Sequence, residues 1–542
     1  MFQKVRAICK SFACREFNVD LSRSYSAVGR TIFALSSGRG KSGVAVVRVS
    51  GSQSRVVLSA IADETCLRKP RFAQLRTLRD PQSNDILDKA IVIWFPGPKS
   101  FTGEDICEFQ VHGGLAVVSG LLHALGKMPG LYPADPGEFS KRAFFNGSMD
   151  LTEAEGLADL IHAETEMQRK QALHQMGGSL HILYNRWRTV LLQNLAHVEA
   201  YIDFSEDENI EDDVMANVID SLRKLSQEVE THLTDGRRGQ RLRDGVQATI
   251  VGEPNVGKSS LLNLLCDRPA AIVTAIAGTT RDVVEQYINI GGYPLSIADT
   301  AGIRGESTVN DVVEKEGIAR AKQYAKSADV ILLVIDSETF LSASKWQEHQ
   351  DILTFQEFVK SHMLQLGLKD FFNGQPCILK SNQEGSIIDS DTQLQCLIIM
   401  SKIDLIMDES IKKSLNKLQT QFLNVVVLSC LNGDGLPALL QKLESILEYL
   451  CGNPSQESPA LSQVRHQHHL IDCLENIQDY LKKTSYLSEA QKNASLEGSQ
   501  ITDLAICAED LRRAVQHLGK ITGHVTTEQI LDVIFRDFCI GK

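Results

Sequence analysis

The chain has 542 residues, 43% hydrophobic and 23% charged, an ordinary balance for a soluble protein with about three or four domains. Net charge of −12 and a pI near 5.7 exclude a surface that holds nucleic acid by bulk charge, so any RNA partner needs local basic patches or another subunit. The 12 cysteines are scattered with no Cys-x-x-Cys pair, which excludes a disulfide framework, and no apolar run approaches the ~18 residues of a membrane span.

Residues 1–30 carry Lys4, Arg6, Lys10, Arg15, Arg23 and Arg30 against only Glu16 and Asp20, with serines between them. Such an acid-poor leader predicts a mitochondrial transit peptide; a disordered tail is the alternative. From residue 31 the pattern turns strand-like. The β-branched run 43–49 follows a Gly- and Ser-bearing loop, and the apolar run 90–95 ends at Pro96-Gly-Pro98. His112-Gly-Gly114 then leads into a helical run over 115–125, which together predict an α+β domain.

From about residue 149 the period becomes helical, through 203 and again over 214–233. It returns at 464–481 and 501–518. The economical reading is one helical domain with another domain inserted into it. The basic run Arg237-Arg-Gly-Gln-Arg-Leu-Arg243 lies at the insertion point and reads as a solvated hinge or an RNA phosphate contact.

The inserted part begins with Gly252-Glu-Pro-Asn-Val-Gly-Lys-Ser259, between an apolar run and a helical one. Strand, glycine loop and helix in that order form a phosphate-binding P-loop. Its backbone N–H groups turn toward phosphate, Lys258 reaches the β- and γ-phosphates, and the Ser259 hydroxyl can ligate Mg²⁺. Asn255, Val256, Gly257 and Ser260 complete the predicted nucleotide contacts there.

Ala277-Gly-Thr-Thr-Arg-Asp282 is a candidate switch that closes over metal and γ-phosphate. Asp299-Thr-Ala-Gly302 ends an apolar strand, placing Asp299 by the metal and the Gly302 N–H by the γ-phosphate, with Thr300 and Ala301 between. Ser401-Lys402-Ile-Asp404 supplies a carboxylate that accepts the two N–H donors on one edge of guanine, and Ser429-Cys430 a backbone contact to the base. Four pieces in order, with β/α alternation, predict a GTPase.

Two departures stand out. Ile303 occupies the place where small GTPases carry a water-orienting glutamine, so hydrolysis needs another device. Ser401 replaces the usual asparagine, which weakens binding by about 1 kcal/mol unless compensated. Residues 337–395, rich in Gln, Ser and Asn, read as a surface insertion. The histidines of Arg465-His-Gln-His-His469 read as part of a helix; no carboxylate or cysteine shares their spacing as a metal site requires.

With these residues placed, the chain resembles the mitochondrial form of the MnmE (TrmE) tRNA-modification GTPases, from about residue 31 to 542. The specific marks are Gly-Thr-Thr-Arg-Asp at 278–282, Pro-Gly-Glu-Phe-Ser at 136–140 and Phe538-Cys-Ile-Gly-Lys542. The resemblance implies a multidomain α/β fold: a P-loop GTPase domain inserted into an α-helical domain, preceded by an α+β folate-binding domain. The parts are then a transit peptide (1–30), a tetrahydrofolate-binding and dimerisation domain (31–147), two helical halves (148–243 and 453–542) and a G domain (244–452).

It further implies GTP hydrolysis coupled to C5 modification of wobble uridine in mitochondrial tRNA, in the matrix, by a homodimer working with an FAD-dependent MnmG (GidA) partner. The one-carbon unit would come from 5,10-methylenetetrahydrofolate or 5-formyltetrahydrofolate. By matching motif, Asn255, Thr274, Ile276 and Thr279 would surround K⁺ in place of an arginine finger, and Ser259 and Thr280 would ligate Mg²⁺. Glu314 aligns with the family's water-orienting glutamate, with Glu316 as rival. Arg48, Glu108 and Lys542 match the folate positions, Ser148 replaces a family lysine, and Cys539 is a candidate catalytic thiol. Two other readings stay open: a mitochondrial ribosome-assembly GTPase acting as an RNA-binding switch, and a weak regulatory GTPase.

Overall fold

The apolar runs at the start of the chain pair as strands in a computed structural model, which describes residues 30–204, 213–267, 285–298, 328–344, 351–366, 368, 395–454, 460–491, 500–524 and 541. Two units emerge, residues 1–161, 173–231 and 468–542 in one, and residues 162–172 and 232–467 in the other.

In the first unit, β1 (Thr31–Leu35), β2 (Ser42–Ser50), β3 (Gln74–Arg79), β4 (Ile86–Phe95), β5 (Ile106–Gly113) and β6 (Leu131–Pro133) form one sheet. Their order is β3-β4-β5-β2-β1-β6, antiparallel except for β1 with β6. Side chains alternate across it, as a half-buried antiparallel sheet requires. Val47, Val49, Val92 and Phe109 point into a core closed by α1 (Ser54–Ile61) and α2 (Leu115–Gly126). On the other face Leu75 and Ile91 stand opposite each other in register and remain exposed.

The same unit carries α3 (Glu138–Phe145), α4 (Leu151–His162), part of α5 (Glu166–Met176), α6 (Ser179–Phe204) and the start of α7 (Asp213–Asp244). Buried Tyr184, Trp187, Leu191, Leu195 and Val198 recur at helical spacing along α6, and Val218, Leu222, Leu225 and Val229 along α7.

The second unit is built on β7 (Val246–Val251), β8 (Glu285–Ile290), β9 (Tyr293–Ala298), β10 (Val330–Asp336), β11 (Gln395–Ser401) and β12 (Val425–Val427). The order β12-β11-β10-β7-β9-β8 is parallel except for the antiparallel edge strand β8. All seven residues of β10 and of β11 are buried, because helices cover both faces. On one face lie α8 (Lys258–Cys266) and α12 (Leu436–Cys451). On the other lie α9 (Ser337–Ser344), α10 (Asp351–Gln365) and α11 (Glu409–Gln421).

The expected surface insertion therefore begins as core. Phe340, Phe355, Val359, Met363 and Leu368 are buried, and Phe340 meets Phe355 edge-on at 5.5 Å between ring centroids. Each fully buried aromatic contributes about 1.5–3 kcal/mol. The polar residues between them cover the helix exterior, and their composition hid a Phe-Val-Met stripe at a spacing of four. Residues 345–350 and 369–394 lie outside the described residues.

The basic run, expected as a hinge or an RNA contact, is the last part of α7. Arg241 pairs with Asp329 at 2.8 Å. A Cβ at Gly239 would lie 2.4 Å from the Leu461 carbonyl oxygen, so the glycine admits a passing chain. The final helices are α13 (Val464–Gln491) and α14 (Gln500–Thr522). The leader lies outside the described residues.

Candidate functional site

The P-loop leaves the centre of the parallel sheet, where β9 and β10 flank β7 and the connections diverge, the usual ligand crevice of such sheets. Asn255 and Gly257 both have positive φ, 62° and 99°, which turns the loop back over the start of α8. A Cβ at Gly252 would sit 2.4 Å from the Val334 carbonyl, so only glycine lets the loop pass β10. The Lys258 ammonium donates to the Gly252 and Glu253 carbonyls at 2.9 and 2.6 Å, which holds it over the loop. Val256 is buried beneath, while Ser259 and Ser260 are exposed at the helix start. Loop N–H groups and a helix N-terminus together suit a polyphosphate.

Ser401 ends β11, two strands along the sheet from β7, and Lys402 and Asp404 follow it. The Ser401 hydroxyl lies 2.6 Å from the Val256 carbonyl and 3.1 Å from that of Ile335, with one proton to serve both. It thereby ties the end of β11 to the P-loop, through a serine where an asparagine is usual. Lys402 takes the left-handed conformation, φ 58°, and its ammonium bonds Asp336 at 2.8 Å. Asp404 accepts a 2.6 Å bond from the Ser429 hydroxyl, which orients the carboxylate. Burial pushes the Cys430 thiol up, which suits a backbone role and not a nucleophile.

Thr274, Ile276, Thr279, Thr280, Asp299, Thr300, Ala301, Gly302, Ile303, Glu314, Glu316, Cys539 and Lys542 lie outside the described residues.

In the other unit Arg48 and Glu108 face each other in register on β2 and β5, bonded Nε to Oε1 at 2.8 Å. The guanidinium lies 5.0 Å from the Phe101 ring centroid and 5.7 Å from that of Phe139. Gly541, with φ 100°, packs beside the end of β1, where the Ser36 hydroxyl donates to its carbonyl at 2.8 Å.

Two polar networks could not be read from the sequence. Buried Arg142 bonds Glu104 at 3.1 Å and Glu138 at 2.8 Å, and Glu104 also accepts from Ser50 at 2.7 Å. A Cβ at Gly103 would meet that of Asn146 at 2.8 Å, so the Thr-Gly-Glu-Asp loop and the end of α3 are built together. The motif at 136–140 gave a signal for Glu138; nothing adjacent in sequence linked it to Glu104. The second network runs from Asp150 to His181 Nδ1 at 2.7 Å, from His181 Nε2 to the Asn185 amide at 2.6 Å, and from Asn185 Oδ1 to His524 at 3.2 Å. The Asp150–His181 contact is one of ion-pair distance, and the two links through Asn185 are hydrogen bonds.

The model of the MnmE helical domain matches residues 151–539, and that of the GTP-binding protein TrmE N-terminus matches residues 31–148. The chain belongs to the MnmE (TrmE) family of tRNA-modification GTPases. Among MnmE-family relatives it is 47% identical over 515 residues to the zebrafish "5-taurinomethyluridine-[tRNA] synthase subunit GTPB3, mitochondrial", covering 94% of this chain and 93% of that protein. The human protein of the same description is 45% identical over 514 residues, covering 95% and 94%. The tRNA modification GTPase MnmE of Rickettsia bellii is 42% identical over 512 residues, covering 94% of this chain and all of that one. The MnmE-family GTPase fold expected from the motifs is present: a P-loop sheet in one unit, an α+β sheet and helices in the other.

Proposed function

We propose that this MnmE-family GTPase drives C5 modification of wobble uridine in mitochondrial tRNA, yielding the taurinomethyl derivative. The observation that supports this reading is the Ser401–Val256 bond, which ties the phosphate loop to the stretch that would bind the base. In this reading Asp404 accepts the guanine N–H pair, with Ser429 fixing its direction, and Lys258 counters phosphate charge. Ser259 and Thr280 would hold Mg²⁺, and Asn255 with Thr274, Ile276 and Thr279 would hold K⁺, adding positive charge at the phosphates. The exposed Asn255, on a loop turned by positive φ, suits that role. Glu314 would orient water.

Arg48, Glu108 and Lys542 would hold a tetrahydrofolate one-carbon donor, with Cys539 near it. A guanidinium carries five N–H donors, and the Glu108 bond engages the one on Nε, so a folate carboxylate could share Arg48. The exposed Leu75–Ile91 pair supports a homodimer, since a second copy would cover it. An MnmG-type FAD protein is the expected partner, and the residue 1–30 leader addresses the chain to the matrix. The parts would be a folate domain (31–147) and a helical domain (148–243 and 453–542) that receives the G domain (244–452).

The test measures GTP turnover in KCl against NaCl, then wobble uridines by mass spectrometry in mitochondrial tRNA from cells lacking the protein. K⁺-stimulated turnover and loss of the modified uridine are expected. Equal rates in both salts with unaltered uridines would overturn the proposal.

A further inference from the structure

We propose that His469, Asp472 and His517 form a binding site for a first-row divalent cation of the zinc class, clipping α13 to α14. It is separate from the predicted Mg²⁺ and K⁺ positions, and among the described residues it is the cluster whose donor atoms converge as a metal requires. The sequence offered only the histidine run; the missing carboxylate and the third ligand arrive through helix spacing and helix pairing.

His469 and Asp472 stand three residues apart on α13, so their side chains share a face. His517 comes from α14. Its Nδ1 lies 3.5 Å from His469 Nδ1 and 3.3 Å from Asp472 Oδ2, and the three ligand atoms all fall within 4.8 Å of one another. Zinc bonds of about 2.0–2.1 Å in a tetrahedron put neighbouring donor atoms roughly 3.3–3.4 Å apart. Two edges of the triangle are thus already at coordination spacing, and closing the third needs only side-chain rotation.

Chemistry points the same way. Two imidazole nitrogens and one carboxylate oxygen suit Zn²⁺, Co²⁺ or Ni²⁺ and not Mg²⁺ or K⁺. Lys520 adds positive charge nearby, and the Asp472 carboxylate offsets it. The Asp472 side chain is 47% exposed, so an ion can enter and keep a water ligand.

The scaffold is firm. Leu470, Cys473 and Ile477 beside the cluster on α13, and Ala514 and Leu518 on α14, are fully buried. Lys483 and Asp510 join the same helices at 2.6 Å further along, in the opposite numerical order, so the helices run antiparallel. The ion would be a second clip of the same pair.

The full chain, stripped with chelator and returned to buffer with MgCl₂ and KCl, is titrated with Co²⁺ by its d–d absorption and with Zn²⁺ against a chromophoric chelator. One Zn²⁺ per chain is expected, together with a raised melting temperature. Asp472→Asn and His517→Gln should each weaken Zn²⁺ binding at least about tenfold, as loss of a ligand exceeds loss of a supporting group. Circular dichroism checks that the variants fold; if His517→Gln does not, the half-exposed Asp472→Asn decides alone. No Zn²⁺ uptake, or affinity unchanged in a folded variant, would overturn the site. GTP turnover should be the same in both variants, so a failure here leaves the GTPase reading untouched.

Discussion

The two sheets of this chain put their candidate sites in different places. In the parallel sheet the central strands are buried on both faces, and the reactive groups stand on loops beyond the strand ends. In the antiparallel sheet one face is core, and Arg48 and Glu108 stand on the strands themselves, paired across β2 and β5. A loop site is written in contiguous residues; a strand-face site is written in register, which no local stretch contains.

The largest expected effect falls in the antiparallel unit. Arg142→Ala leaves Glu104 and Glu138 facing each other without their shared cation, and should cost about 3 kcal/mol or more in chemical denaturation. Arg142→Lys keeps the charge but not the fork, and should recover part of that. If Arg142→Ala unfolds no more readily than the parent, the network does not hold this sheet to α3.

Next is the loop site. Ser401→Ala removes the hydroxyl serving two carbonyls and should weaken GTP binding by about 1 kcal/mol, roughly fivefold, by fluorescent-nucleotide titration. Ser401→Asn should bring little gain, because serine already makes the link to the P-loop. A large gain would show that the tether does not compensate.

The smallest effect is one of pH. Burial lowers the Lys442 ammonium to about 8, with its Nζ on the Val425 carbonyl at 2.7 Å. Its folded value lies below the ordinary 10.5, so between about 8 and 10.5 the unfolded chain holds the extra proton. Stability of this unit should therefore rise with pH through that window, and Lys442→Met should flatten the rise. Melting temperatures across pH 8 to 10.5 would read it directly.

The P-loop and the guanine motif were legible because backbone geometry there demands particular residues in a row: Gly252 against β10, Gly257 at positive φ, Ser401 through Asp404 at one strand end. What serine does at 401 was not, since its partner Val256 is 145 residues away. The Glu104–Arg142 pair was hidden for the same reason, 38 residues apart. α10 was hidden differently. Its apolar stripe is diluted by Gln, Ser and His, so composition masks its period. The candidate metal cluster joins both lessons: an i, i+3 pair on one helix that the reading of the histidine run passed over, completed by a residue from another.

Gly541 has a bearing on how the molecule is made. Its carbonyl receives the Ser36 hydroxyl across 505 residues of chain, and its left-handed backbone lets it lie against Leu35 with no room for a side chain. During synthesis β1 emerges early, yet this corner cannot close until nearly all the rest has left the ribosome. Closure of this corner should accordingly lag behind folding of the nucleotide unit, whose strands need no such late arrival, and pulse-chase proteolysis should find the two maturing in that order.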